Sequence, residues 1–224
     1  MKKVSLILSA VLITTMTASF NGGVGSEESS GINNSPTFKE VKIGNQVWMV
    51  ENLNVDKFRN GDPIPHAKTR EEWEKAGKNK QPAWCYYDND PANGEKYGKL
   101  YNWYVVNDPR GLAPKGWKIP SDEDWKRLRD FSGSFFDAGK KMKSTSGWKE
   151  DGNGTNESGF SGLPGGIRLN DGTFEYVGNY GFWWGSTEHD TYVAWRIYLF
   201  YNSDYAVRGG ANKGDGFSVR CLRD

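Results

Sequence analysis

The chain has 224 residues, including ten tryptophans and 28 glycines, with 29 Lys plus Arg against 28 Asp plus Glu. That balance excludes the basic footprint a nucleic-acid partner needs and the polybasic patch that holds a protein to an anionic membrane. An aromatic content of 14% among so many glycines points instead to a ring-filled core reached by short strands and many turns.

The chain opens with "MKK" followed by the uncharged run "VSLILSAVLITTMTASF". A basic start, an apolar run and small residues read as a secretory signal over 1–19, cleaved near Ala18 or Ser19. No cysteine follows the run as a lipoprotein would require, and no membrane span is expected after cleavage. Residues 20–36, "NGGVGSEESSGINNSP" from Asn21 on, read as a flexible linker. Residues 37–224 then form one domain, large enough for one core. The expected location is secreted, periplasmic or at the cell surface.

Within the domain, "TFKEVKIGNQVWMVENL" alternates on both sides of Gly44-Asn45 and predicts a hairpin, with strands near 37–43 and 46–50. "NVDKFRNGDPIP" is turn chemistry. "TREEWEKAGK" predicts a short helix with Thr69 as cap and Glu72 at the capping-box position. In "YGKLYNWYVVND", Leu100, Trp103, Tyr104 and Asn107 recur at helical intervals, predicting a one-sided helix. "SDEDWKRLRDF" carries the plainest helix signal, with Ser121 and Asp124 as the capping pair and Trp125, Leu128 and Phe131 as an inward stripe. Residues 147–185 read as a long irregular region. Beyond Thr187 "AWRIYLFY" and "YAVR" alternate as strands, "RGGANKGDG" turns, and "FSVRCL" closes the chain with Phe217, Val219 and Cys221 on one face. The fold class expected is α+β: two or three short helices, small twisted antiparallel sheets and long loops.

Three constellations bear on chemistry. In "GNYGFWWGSTEHD", an extended strand puts Trp183 and Trp184 on opposite faces. One ring then enters the core and the other is offered to a sugar or partner chain, with Tyr180, Glu188 and Asp190 alongside. In "EDGNGTNE", Asp151, Asn153, Asn156 and Glu157 offer oxygen ligands of the kind calcium takes; the competing reading is that Asp and Asn here bond their own backbone. "DNDPANGEKYG" starts like a calcium loop, but Ala92 and Asn93 stand where a ligand and a glycine belong. Cys85 and Cys221, in an exported chain, suit one disulfide, or two separately buried thiols. Catalysis is not expected: the only histidines, His66 and His189, lie far apart, and "GFSGL" lacks the second glycine of a nucleophile elbow. No cofactor is expected, with Ca²⁺ as the one alternative.

In this order, "IGNQVWMVENLN", "YGKLYNWYVVN", "LAPKGWKIPSDEDWKRL", "ESGFSGLPGGIR", "GFWWGSTE" and "GFSVRCLRD" resemble the Fibrobacter succinogenes major paralogous domain, over roughly Phe38 to Asp224. The resemblance implies secreted and surface proteins of Fibrobacter and Bacteroidota and no assigned biochemical role. Ala113 stands where many relatives carry cysteine, and Lys118 where many carry histidine. A more distant likeness to formylglycine-generating enzymes, in "GWKIPSDEDW", "RGG" and "GFSVRC", implies a C-type-lectin-like fold. It does not carry function: the cysteine pair and the histidine cluster of those enzymes have no counterpart here. The reading is a secreted or surface non-catalytic binding domain for a glycan or surface protein. The alternatives are a structural subunit of a surface assembly and an unrecognised enzyme.

Overall fold

A computed structural model describes residues 38–224, within the unit Thr37–Asp224; the signal-peptide and linker readings of 1–19 and 20–36 lie outside the described residues. The first hairpin forms as its sequence dictates. Strands β1 (Glu40–Ile43) and β2 (Gln46–Met49) pair antiparallel from Ile43↔Gln46 outward. Gly44 takes φ +60° and Asn45 does not enter the left-handed region, the pattern of a type II′ turn. Helix α1 (Arg70–Lys78) has the complete Thr69–Glu72 capping box. Next come β3 (Trp84–Cys85), α2 (Pro91–Tyr97), β4 (Leu100–Tyr101), α3 (Trp103–Val106) and β5 (Trp117–Lys118). Helix α4 (Asp122–Ser132) starts on the Ser121–Asp124 capping box, and α5 (Ala138–Met142) follows it. The rest is β: β6 (Gly165–Arg168), β7 (Phe174–Val177), β8 (Tyr180–Glu188), β9 (Val193–Phe200), β10 (Val207–Asn212) and β11 (Leu222–Arg223).

The described residues thus form a mixed α+β domain of five α-helices and several small antiparallel sheets. A four-stranded sheet has the order β1-β2-β11-β5, which brings the last strand beside the first hairpin. A three-stranded sheet has the order β10-β9-β8. No helix among the described residues is long and apolar enough to cross a membrane.

Several sequence expectations are corrected: among the described residues five helices stand where two or three were expected, and the 147–185 stretch read as irregular holds β6, β7 and the start of β8. The single helix expected from Leu100 to Asn107 divides: Leu100 and Tyr101 pair antiparallel with Cys85 and Trp84 of β3 as strand β4, and the helix starts only after the Asn102 cap. In "DNDPANGEKYG", a poor match to a calcium loop, Asp90 bonds its own backbone instead, capping Ala92 N–H at 2.9 Å at the start of a helix with Pro91 in its first turn. Phe131 leaves the inward stripe of α4. It is 64% exposed and lies across the Gly44 turn, where an added methyl would meet its ring at 2.9 Å. "RGGAN" is strand β10, not turn.

The core has three apolar clusters. Trp183 belongs to one with Trp48, Trp125, Leu128, Met142 and Phe160, on the α4–α5 side of the β8–β10 sheet. Trp184 belongs to another with Phe182, Trp103, Phe217, Val219 and Cys221. The third lies under α1, with Trp73, Cys85, Tyr87 and Leu100. The disulfide expectation is therefore corrected: Cys85 and Cys221 pack in separate clusters and both are free and buried. Burial pushes the Cys85 thiol up to about 12 and raises Cys221 as well.

Buried polar groups stitch the clusters together. Asn52 is one hub: its Oδ1 accepts from Trp183 Nε1 at 2.8 Å and from Arg220 Nη2 at 2.7 Å, while its Nδ2 donates to Tyr97 O at 2.8 Å. Arg220 also donates to Phe160 O, and its guanidinium lies over the Phe160 ring. Arg168 ties the residues before α1 to the sheets by donating to Ala67 O and Thr69 O, both at 2.8 Å. Buried Asp215 accepts from Asn170 N–H at 2.9 Å. Desolvation pushes its carboxyl up to about 6, against the pull of that N–H and of Arg196.

Candidate functional site

The tryptophan pair is not a platform. Trp183 and Trp184 do face opposite sides of β8, but both are 0% exposed. The face carrying Trp183 is covered by α4 and α5, and the face carrying Trp184 is filled by Phe217, whose ring centroid lies at 4.3 Å. The free edge of β8 is closed too, because Trp184 N–H donates to Ser218 O at 3.1 Å. Both indole N–H groups are used internally, Trp183 on Asn52 Oδ1 and Trp184 on Tyr101 O, each at 2.8 Å. The expected exposed ring is thus corrected: alternation splits the pair between faces, and here both faces are interior. Tyr180 is half-buried, its ring stacked on Phe182 at 5.4 Å.

Glu188 and Asp190 lie at the β8–β9 turn and serve that turn. Glu188 pairs with the buried ammonium of Lys213, which also donates to Thr191 O at 3.0 Å. Asp190 Oδ1 accepts from Tyr192 N–H and Val193 N–H at 2.8 and 2.9 Å. Its Oδ2 meets His189 Nδ1 at 2.8 Å. Those bonds hold the Asp190 carboxyl below the ordinary range, the Tyr192 N–H most of all.

At the opposite end of the β8–β9 hairpin the long-loop residues build an open polar hollow of about 860 Å³. Asp151 and Asn153 line it, with Lys140, Asp204, Phe136 and Tyr205 among the others. Asn156 is turned elsewhere, exchanging bonds with Ser161 at 2.7 and 2.8 Å, and Glu157 is an exposed residue outside the lining. Asn153 Oδ1 accepts from Trp148 N–H at 3.1 Å, so both amides bond their own loop. Among the described residues, no group of three or more His, Cys, Asp or Glu side chains gathers as metal ligands do.

The walls of the hollow are held by close backbone approach and one buried charge. A methyl at Gly152 would lie on Tyr201 O, and one at Gly139 on Tyr205 O, so only glycine lets the 147–154 loop and helix α5 meet the β9–β10 turn. Glu150 and Asp151 are held in the left-handed region at φ 51° and 56°, which costs about 1–3 kcal/mol each and is the kind of strain that clusters at binding sites. Below them Lys143, 2% exposed, donates to Tyr201 O at 3.3 Å and Ser203 O at 3.0 Å. Desolvation lowers its pKa.

The rim carries aromatic rings. Phe135 is 47% exposed, Phe136 66% and Tyr205 38%. Phe135 stacks on Tyr205 at 5.2 Å, and Phe136 meets Tyr205 edge-on at 5.7 Å. The turn that presents the pair is braced by Asp137, whose Oδ1 accepts from Ser134 N–H at 2.6 Å and whose Oδ2 accepts from Lys141 at 2.8 Å. The Lys141 ammonium is the main reason this carboxyl sits down at about 2. A hollow with hydroxyl, carboxylate, amide and ammonium groups below a ring ledge is equipped to hold a hydroxyl-rich ligand by hydrogen bonds and stacking. Sequence reasoning missed Phe135 and Phe136. The signal was two adjacent phenylalanines inside the turn-like "SGSFFDAG", where no periodicity calls for an inward face.

The fold and site define a mixed α+β domain with a loop-built hollow on one face. The chain belongs to the Fibrobacter succinogenes major domain family, whose model matches residues 41–223. No curated protein and no solved structure is significantly similar to it.

Proposed function

We propose that the chain is an exported, non-catalytic recognition domain with a C-type-lectin-like fold, and that it binds a glycan in the hollow bounded by Phe136 and Tyr205. The observation that carries the reading is the exposed ring cluster of Phe135, Phe136 and Tyr205 beside the hydrogen-bonding groups of Asp151, Asn153 and Asp204. The fold assignment draws support from the β1-β2-β11 arrangement, which closes the chain ends in one sheet around long loops. Export draws support from the basic and apolar N-terminal run. The test is a glycan array on the wild-type chain and on the Phe136→Ser/Tyr205→Ser double variant. Binding is expected to disappear in the variant at unchanged melting temperature. Equal signals from the two proteins, or no glycan bound by the wild type, refute the reading.

A second reading has its own support. Two of the three rim rings are phenylalanines, which lack a hydroxyl and suit a protein partner as well as a sugar. On that reading the chain is a structural subunit of a surface assembly. Co-purification of an envelope protein with the wild type and not with the double variant, with the array blank, selects it.

A further inference from the structure

Nine of the ten tryptophans are buried; Trp195, on β9, is the one that stays partly open. It faces a groove of about 330 Å³ between α4 and the β9–β10 pair, at the small end of the ~300–1,000 Å³ range of ligand sites. Trp125, Ile197 and Trp195 give the groove an apolar floor. Its polar lining is Lys126, Arg129, Arg196 and Arg208 against the single carboxylate of Asp122, with the Arg196 guanidinium lying over Phe182 and Phe217. The groove sits toward the β8–β9 turn, away from the hollow at the far end of that hairpin.

The cations are only partly committed. Arg208 stacks on Trp195, its Cζ 3.2 Å from the ring centroid, and spends its Nε on Asp122. Arg129 reaches Asp130 Oδ1 through Nε and Nη2 at 3.3 and 3.2 Å, long contacts that Asp130 shares with Lys126 at 2.7 Å. Among the described residues Arg208 Nη1 and Nη2, and Arg129 Nη1, carry no hydrogen bond. A guanidinium with free N–H groups is a geometric match for a carboxylate. Because Arg208 already occupies a face of Trp195, a cationic ligand is repelled. The apolar floor leaves a fully hydrated anion such as free phosphate little to gain.

We propose that this groove binds a small carboxylate with an apolar body, the body against Trp125, Ile197 and the part of Trp195 that Arg208 leaves open, and the carboxylate on Arg129 and Arg208. The site is independent of the glycan reading.

The test is ligand-observed NMR and calorimetry on the full chain with 3-phenylpropionate and its neutral isostere 3-phenylpropan-1-ol. The acid is expected to bind at about millimolar concentration or below, and the alcohol about tenfold more weakly or worse, since charge-assisted bonds are lost. Arg129→Gln is expected to weaken the acid about tenfold and leave the alcohol unchanged, and Trp195→Ala to weaken both. Phe136→Ser is expected to leave both intact, which separates this site from the hollow. No binding of the acid, equal binding of acid and alcohol, or an unaffected Arg129→Gln variant overturns the proposal. Should Trp195→Ala fail to fold, Arg129→Gln carries the test, because that side chain makes only long contacts with Asp130.

Discussion

Asp215→Asn isolates one buried charge. The wild-type carboxyl is buried, accepts the Asn170 N–H at 2.9 Å, and is pushed up to about 6, chiefly by desolvation. Moving a carboxyl from about 3.9 in the unfolded chain to about 6 in the fold separates its two forms by about 3 kcal/mol. Between those values the folded protein keeps a proton that the unfolded chain has released, so unfolding releases a proton and stability falls as pH rises. The contribution is complete below the unfolded pKa and gone above the folded one. Asparagine keeps an acceptor oxygen for Asn170 and does not titrate. The stability of Asp215→Asn relative to wild type is therefore expected to grow by about 3 kcal/mol between about pH 3.5 and about pH 7. Urea unfolding followed by tryptophan fluorescence at the two pH values measures it. The same stability difference at both, or a smaller one at the higher pH, refutes the account of a carboxylate ionised against its burial.

Other substitutions test the interior and the hollow. Asn52→Leu leaves the Arg220 guanidinium and the Trp183 N–H without their shared acceptor and is expected to cost about 1–3 kcal/mol by urea unfolding; a loss below about 0.5 kcal/mol contradicts the hub. Gly152→Ala puts a methyl on Tyr201 O and is expected to lower stability by about 1–3 kcal/mol, read as a drop in melting temperature. The two thiols are expected to be inert to an aromatic disulfide reagent in the native protein and both reactive once unfolded without reductant; a denatured chain with no titratable thiol would restore the disulfide.

Local chemistry was legible in the sequence where it depends on a few adjacent residues. The capping pairs Thr69–Glu72 and Ser121–Asp124 and the Gly44 turn all act within four residues, so their spacing is sufficient to place them. What failed was decided by distant packing. The Leu100–Asn107 run has helical spacing, yet pairing with Trp84 and Cys85, fifteen or more residues earlier, takes its first two residues into a strand. Trp183 and Trp184 were correctly assigned to opposite faces, but alternation records only that two side chains diverge, not what lies beyond either face. The same alternation in "AWRIYLFY" puts Trp195 on the side of Ile197, yet Ile197 is buried while Trp195 stays partly open at the groove beside α4. Asp90-Pro91 is a local helix-start signal, a cap followed by proline in the first turn, and needs no distant contact to be read. Of the polar candidates, Asp151 and Asn153 meet in one hollow while Glu188 and Asp190 serve the far turn. Sequence separation alone does not tell these apart.

The clasp between first and last strands bears on how the domain carries tension. Arg223 Nη2 donates to Glu40 Oε2 at 2.7 Å, and Leu222 of the two-residue β11 sits opposite Trp48 of β2. A pull transmitted through the two ends meets this short seam before it reaches the ring-packed interior.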